Sequence, residues 1–225
     1  MVMELLPGGE LYDRIIDAVV PMTEKKASKI VHKIIRALIH CHDQNIIHRD
    51  LKPENIVFDC EDEPKLVDFG LAIQQNSKEY VWMDSVGSPY YMAPEMLYGK
   101  YNKEVDVWSM GVIIYQMLTG EYPFDGFRPN DVADKIRVGS FKIPDSVSDE
   151  AYDLLIKMID FKNEKRITFK ECLVHPWFTQ ASDKIIDPSS ILKLKQYKHQ
   201  SKLKDAAMDQ LVKQICPEKT KHLRE

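Results

Sequence analysis

One interruption in an otherwise helical pattern constrains this chain more than any other feature. From 9 to 20 and from 23 to 42 apolar residues recur at helical spacing, with Thr23-Glu24 after Pro21 suited to start the second helix. That helix carries Ile30, Ile34, Ile35, Leu38 and Ile39 as its apolar stripe. The spacing then collapses into short runs, Ile46-Ile47, Ile56-Val57-Phe58 and Lys65-Leu66-Val67, with an acidic turn over 59–64 between the last two. Those two runs predict a β-hairpin, and pairing Val57 with Leu66 brings Asn55 and Asp68 to the same end of it. A polar stretch from about 72 to 92 is expected to lack regular structure, and helical patterns resume at 104–119, 129–137, 148–159 and 168–174. The expected class is mainly α with a small β-hairpin, without internal repeats or low-complexity segments.

The residues that flank the hairpin carry chemistry. Before its first strand stands His48-Arg49-Asp50-Leu51-Lys52-Pro53-Glu54-Asn55, and after its second stands Asp68-Phe69-Gly70. An amide oxygen and a carboxylate at one end make a pair of hard donors suited to Mg²⁺, which completes its shell with waters and phosphates. Asp50, earlier on the same loop, falls near such a metal without having to ligate it and is placed to accept a hydroxyl proton. Lys52 adds a fixed positive charge beside it. In-line phosphoryl transfer has these needs, because positioning and charge neutralisation supply most of its catalysis. Taken singly, a loop His, Asp or Asn is ordinarily a turn former. The reading rests on the ordered octet, the Asp-Phe-Gly after it, and the Ala93-Pro94-Glu95 that follows.

Composition narrows the class further. With 44% hydrophobic and 29% charged residues the chain has an ordinary globular make-up. Cys41, Cys60, Cys172 and Cys216 include no C-x-x-C pair, so each is read as a buried thiol in a reducing compartment. No apolar run approaches the length of about 18 residues that a membrane span needs, and no leader pattern opens the chain, so no transmembrane segment and a cytoplasmic location are expected. The net charge of −4 conceals two units, because 189–225 holds nine basic and four acidic residues and is +5 while the rest is −9. An acidic body disfavours nucleic acid and suits basic peptides. None of the nine glycines stands in a G-x-G arrangement, so these residues hold no glycine-rich phosphate loop.

With these motifs in this order, the chain resembles the eukaryotic protein kinase family over nearly its entire length. Within it, the resemblance is to calcium-dependent protein kinases of the calcium/calmodulin-regulated group. It implies a protein-kinase-like fold, here the large (C-terminal) lobe without the small lobe over 1–178, then a basic junction or autoinhibitory-type helix over 179–225 leading toward a truncated EF-hand region. It implies ATP and Mg²⁺, with Asp50 as catalytic base, Lys52 on the transferred phosphate, and Asn55 and Asp68 as magnesium ligands. The run Asp50-Leu51-Lys52-Pro53-Glu54-Asn55 is similar to serine/threonine kinases, whereas tyrosine kinases typically carry an alanine-arginine version. By the same resemblance Ser88, in the substrate-docking stretch 87–95, contacts the catalytic aspartate, Asp106 braces the catalytic loop, and Arg166 pairs with Glu95. A buried pair of that kind reads as geometry more than net stability.

Residues 1–15 are similar to the hinge and following helix of the same group. The resemblance makes Met3 the gatekeeper, sets backbone groups of Glu4 and Leu6 on the adenine edge, and puts Val57 beneath it. Glu10 would face the ribose and a basic substrate side chain, and Glu54 is a second acid for reading basic residues; without the resemblance either reads as a solvated glutamate. Gln116 stands where strongly basophilic relatives carry an acid. Protein substrates with one upstream basic residue are therefore expected, with weaker selection for a second. Asp84 stands where many relatives carry a phosphorylated threonine, with Arg49 as its expected partner, and Ser85 keeps phosphorylation open.

In the tail, Leu194, Tyr197, Leu203, Ala207, Leu211 and Ile215 form an apolar stripe, and Lys193, Lys195, Lys198, Lys202 and Lys204 occur with no acid over 189–204. Such a basic amphipathic helix suits a membrane surface, a calmodulin-like groove or packing on its own domain. The resemblance implies an EF-hand or calmodulin-like partner on 189–215, with Ca²⁺ acting only through EF-hands outside this chain. The expected function is transfer of the ATP γ-phosphate to protein Ser/Thr hydroxyls, calcium-regulated in the intact parent. A glycine-rich loop and a strand lysine paired with a helix glutamate are not found before Met1, so little turnover is expected of this chain alone. The alternative is a catalytically incompetent fragment that binds substrates or regulators. A small-molecule phosphotransferase is more distant, because 87–95 resembles a peptide-docking stretch.

Overall fold

The computed structural model describes residues 4–16, 22–75, 81–82, 88–126 and 129–196. Helix α1 (Leu11–Ile16) begins later than the periodicity suggests, because the backbone before it is used as a strand. The Gly8 amide donates to the Phe58 carbonyl at 2.8 Å, the Phe58 amide donates to Gly9 at 3.0 Å, and Glu10 bridges Val57. Helix α2 (Glu24–Asp43) starts where expected, with the Thr23 hydroxyl accepting from the Lys26 amide at 3.2 Å. Its covered face is Ala27, Val31, Ile34, Ile35 and Leu38, while Ile30 and Ile39 are only partly covered.

The hairpin forms from β2 (Ile56–Phe58) and β3 (Pro64–Leu66), but one residue out of the expected register. Ile56 faces Leu66 and Val57 faces Lys65. The turn decides this. The Asp59 carboxylate accepts from the Glu61 and Glu63 amides, both at 2.9 Å, the Asp59 amide closes onto the Glu63 carbonyl at 3.1 Å, and Asp62 takes a left-handed φ of 67°. Asn55 and Asp68 still share an end, because the Val67 amide donates to the Asn55 carbonyl at 3.0 Å.

The stretch 72–92 is not devoid of regular structure. It contributes β4 (Ile73–Gln74), antiparallel to β1 (Ile46–Ile47), β5 (Val81–Trp82), antiparallel to β6 (Lys100–Tyr101), and a 3₁₀ turn, Pro89–Tyr91. Two-residue strands are too short to leave an alternating pattern.

Helix α3 (Glu104–Thr119) is the centre of the lobe, buried on all sides from Val105 to Thr119. Helices α5 (Asp149–Met158) and α2 pack against it, α4 (Pro129–Val138) lies on the 3₁₀ turns Pro89–Tyr91 and Pro94–Tyr98, and α6 (Phe169–Cys172) and α7 (Pro176–Thr179) pack on α2. Ser148 caps α5, and Thr168 with Glu171 forms a capping box on α6, which is shorter than expected because His175 starts α7. Helix α3 ends at Gly120, whose φ of 71° is left-handed, and a Cβ there would overlap the Ser190 carbonyl.

Ser190 belongs to α8, helical over 188–196. Before it, the Glu24 and Lys25 amides at the start of α2 donate to the Lys184 and Ser182 carbonyls at 3.1 and 3.0 Å, and the Ile186 amide donates to Met22 at 2.9 Å. Leu194 is buried, and Lys193 pairs with Glu121 at 2.6 Å. The segment 182–196 is thus packed against the helices that precede it. The rest of the tail stripe, from Tyr197 to Ile215, and Cys216 lie outside the described residues. Of the other thiols only Cys172 is buried; Cys41 is half-buried and Cys60, on the hairpin turn, is exposed.

Candidate active site

Asp106, fully buried in the first turn of α3, shapes the loop before the hairpin. Its Oδ1 accepts from the Arg49 amide at 3.0 Å, and its Oδ2 accepts from the His48 amide at 2.9 Å and faces His42 Nε2 at 2.8 Å. Burial pushes its carboxyl up, but His42 and the two amides outweigh that and hold its pKa below the ordinary value. Arg49 has a φ of 69°, a left-handed conformation that an arginine adopts only when its surroundings impose it. His48 is buried, with Nε2 3.2 Å from the Val67 carbonyl and its ring 4.8 Å from Phe69. The loop is thereby fastened both to the lobe centre and to the segment after the hairpin.

On that support Asp50 is held by four donors. The Ser88 amide and hydroxyl reach Oδ1 at 3.1 and 3.0 Å; Lys52 Nζ and Asn55 Nδ2 reach Oδ2 at 2.7 and 3.2 Å. Burial raises the Asp50 carboxyl pKa, but Lys52, Ser88 and Asn55 together bring it below the usual value, so the group is an anion at neutral pH. Asn55 Nδ2 also donates to the Asp50 carbonyl at 2.8 Å, which fixes the amide and leaves its oxygen for another partner. Asp68, exposed at φ 59°, accepts from the Gly70 amide at 3.2 Å.

Among the described residues no group of three or more His, Cys, Asp or Glu side chains could hold a metal. A magnesium ion at Asn55 and Asp68 would therefore need water and phosphate oxygens to complete its shell, and that donor chemistry fits the ion.

The remaining expected residues occupy several parts of the fold. Val57 is half-buried between buried Ile56 and Phe58, so it faces the open side of the hairpin, with Glu10 bridged to its backbone. Leu6 is half-buried, Glu4 is exposed, and Met3 lies outside the described residues. Glu54 is half-buried in the 3₁₀ turn Pro53–Asn55, against which α1 packs. Glu95 and Arg166 form a two-pronged pair at 2.6 and 3.1 Å, with the guanidinium also donating to the Asp160 and Glu104 carbonyls. Arg49 donates to the Leu71 carbonyl at 2.6 Å and the Tyr101 hydroxyl at 3.1 Å; Asp84 and Ser85 lie outside the described residues. Gln116 is buried and accepts from the Tyr91 hydroxyl at 2.8 Å. Sequence reasoning missed His42 and Tyr101, which support the loop through contacts between distant segments that no local spacing announces.

A family described as "Protein kinase domain" matches residues 1–178. Calcium-dependent protein kinase 29 of Arabidopsis thaliana is 40% identical over 234 residues, spanning 100% of this chain and 43% of that protein. Calcium-dependent protein kinase SK5 of Glycine max is 39% identical over 235 residues, 100% of this chain and 46% of its own length. Calcium-dependent protein kinase 4 of Arabidopsis thaliana is 38% identical over 235 residues, again 100% and 46%. The chain spans less than half the length of these relatives.

Proposed function

Because the chain belongs to the protein kinase domain family, we propose that it is the phosphate-transferring lobe of a serine/threonine protein kinase, moving the γ-phosphoryl group of Mg-ATP to hydroxyls on protein substrates. The observation that carries this reading is Asp50, an anion oriented by four donors with Lys52 and Ser88 at its side. A substrate hydroxyl brought to this carboxylate gives up its proton to it as the oxygen attacks phosphorus. Lys52, 2.7 Å from Asp50, offsets the charge that develops on the transferred group. Asn55 and Asp68 would hold magnesium, which neutralises the phosphates when bound. Val57, with backbone groups of Glu4 and Leu6, would receive the adenine, while Glu10 and Glu54 would read the ribose and a basic substrate residue. Asp84 would serve Arg49 as a standing substitute for a phosphate. In the intact protein, control by calcium would come from an EF-hand or calmodulin-like module on 189–215.

The test is transfer from labelled ATP to a basic serine peptide, by the 225-residue chain and by the same chain joined to a lobe that supplies a glycine-rich loop. Magnesium-dependent transfer by the joined protein, reduced about 100-fold or more in kcat by Asp50→Asn, is the expected result. A joined protein that binds peptide and ATP yet transfers nothing would leave the substrate- or regulator-binding module as the reading.

A further inference from the structure

The substrate side of this site carries an aromatic surface that phosphoryl transfer does not use. Two residues after Ser88, Tyr90 lies half-buried with its ring stacked on Tyr122, centroids 4.3 Å apart and planes inclined by 17°. The Tyr90 hydroxyl donates to the Gly126 carbonyl at 3.2 Å, which pins the ring over the 122–126 loop. Tyr91 turns inward instead, with its hydroxyl on Gln116 and its ring edge-on to Tyr122 at 5.7 Å. Gln116 is thereby committed to Tyr91 and cannot face a peptide. Asp125, in the same loop, is exposed and forms no ion pair among the described residues, whereas neighbouring Glu121 is taken by Lys193. Asp125 immediately precedes Gly126, whose carbonyl accepts from the Tyr90 hydroxyl, and burial together with the Asp125 charge raises the Tyr90 phenol.

An aromatic stack with a carboxylate, unpaired among the described residues, in the loop that holds it suits one kind of side chain. Resting on the kinase reading above, we propose that Tyr90, Tyr122 and Asp125 form a subsite for a substrate arginine, selected over lysine. A guanidinium is planar and weakly hydrated, so it can lie on the aromatic face and still donate from its edge to a carboxylate. A lysine ammonium is a compact, strongly hydrated charge and gains less from the ring. Selection of a second basic residue then depends on this stack, and glutamine at 116 does not weaken it.

The test titrates fluorescent serine peptides against the 225-residue chain by anisotropy. One arginine is walked through five positions upstream of the serine, with lysine and norleucine counterparts. At one position arginine should bind about three- to tenfold tighter than lysine. Tyr90→Leu and Tyr122→Leu should erase that ratio, Tyr122→Phe should keep it, and Asp125→Asn should weaken both the arginine and the lysine peptide. Circular dichroism melts check folding. If the leucine variants unfold, Asp125→Asn decides, and unchanged arginine binding in it overturns the subsite. A ratio of one at every position, or a ratio that Tyr122→Leu leaves unmoved, also overturns the subsite while the kinase reading stands. Binding of no peptide at all overturns the subsite, and the kinase reading is then decided by the transfer assay on the joined protein.

Discussion

Removing the Asp106 carboxylate should cost this lobe most of its stability. The alanine variant leaves three buried donors, the Arg49 and His48 amides and His42 Nε2, without their acceptor. Each stranded donor costs about 1–3 kcal/mol, and partial relaxation brings the sum to about 3–6 kcal/mol. Whole domains hold only about 5–15 kcal/mol, so Asp106→Ala should be largely unfolded or close to it. Asp106→Asn is the more informative variant. Its one oxygen can serve the Oδ2 side, with two donors, while its NH₂ is turned on the Arg49 amide, so about 1–3 kcal/mol should be lost.

Urea unfolding followed by the fluorescence of buried Trp108 and Trp177 reads both variants, with a lower midpoint and an unchanged slope expected for the asparagine form. Acid adds a second check. The folded-state pKa of Asp106 lies below the ordinary 3.8, so its stabilising effect is complete above that value and fades as pH falls through the folded-state value. The gap between wild type and Asp106→Asn should therefore be widest near neutrality and shrink on acidification. An asparagine variant within about 0.5 kcal/mol of wild type at every pH would refute the claim that this carboxylate holds the loop.

Glu95→Ala strands the Arg166 guanidinium, whose side chain is 0% exposed, and should cost about 3–5 kcal/mol by the same denaturation assay; a loss under about 1 kcal/mol would show the guanidinium content with its carbonyl partners. Gly120→Ala meets both a left-handed backbone and the Ser190 carbonyl, so a loss of about 2 kcal/mol or more and a Tm lower by about 4–8 °C are expected in a melt. Thiol labelling at neutral pH should modify exposed Cys60 quickly and leave Cys172 untouched until denaturant is added, since burial and Glu171 push the Cys172 thiol up to about 12. Rapid labelling of Cys172 in the native state would contradict that burial.

The grouping of the candidate site was the most legible part of the sequence, because proton acceptance and phosphate neutralisation would demand particular side chains at close spacing. Asp50, Lys52 and Ser88 meet as their motifs suggest, and Asp106 reaches the loop amides across more than fifty residues of chain. The long helices were legible too, from their periodicity and from Thr23. Register was harder. Ile56 and Val57 are both good strand residues, so the pattern leaves the pairing open by one step, and the side chain of Asp59 in the turn settles it. Strands β1, β4, β5 and β6 offered two residues each, too few for any period. Gln116 illustrates another limit: the resemblance suggested a substrate-facing position, and the side chain is a buried acceptor for the Tyr91 hydroxyl.

The fastening of 182–194 to the lobe sets a path for mechanical load. The chain leaving α7 holds the first amides of α2 through Ser182 and Lys184, then wedges Ser190 against the last turn of α3 at Gly120. Those two helices carry His42 and Asp106 near their other ends, where they meet the loop of Asp50. A pull applied to α8 would thus bear on two helices whose far ends hold the loop of Asp50. Peeling the strap would free the first amides of α2 and uncover the end of α3 at Gly120, at the ends opposite His42 and Asp106.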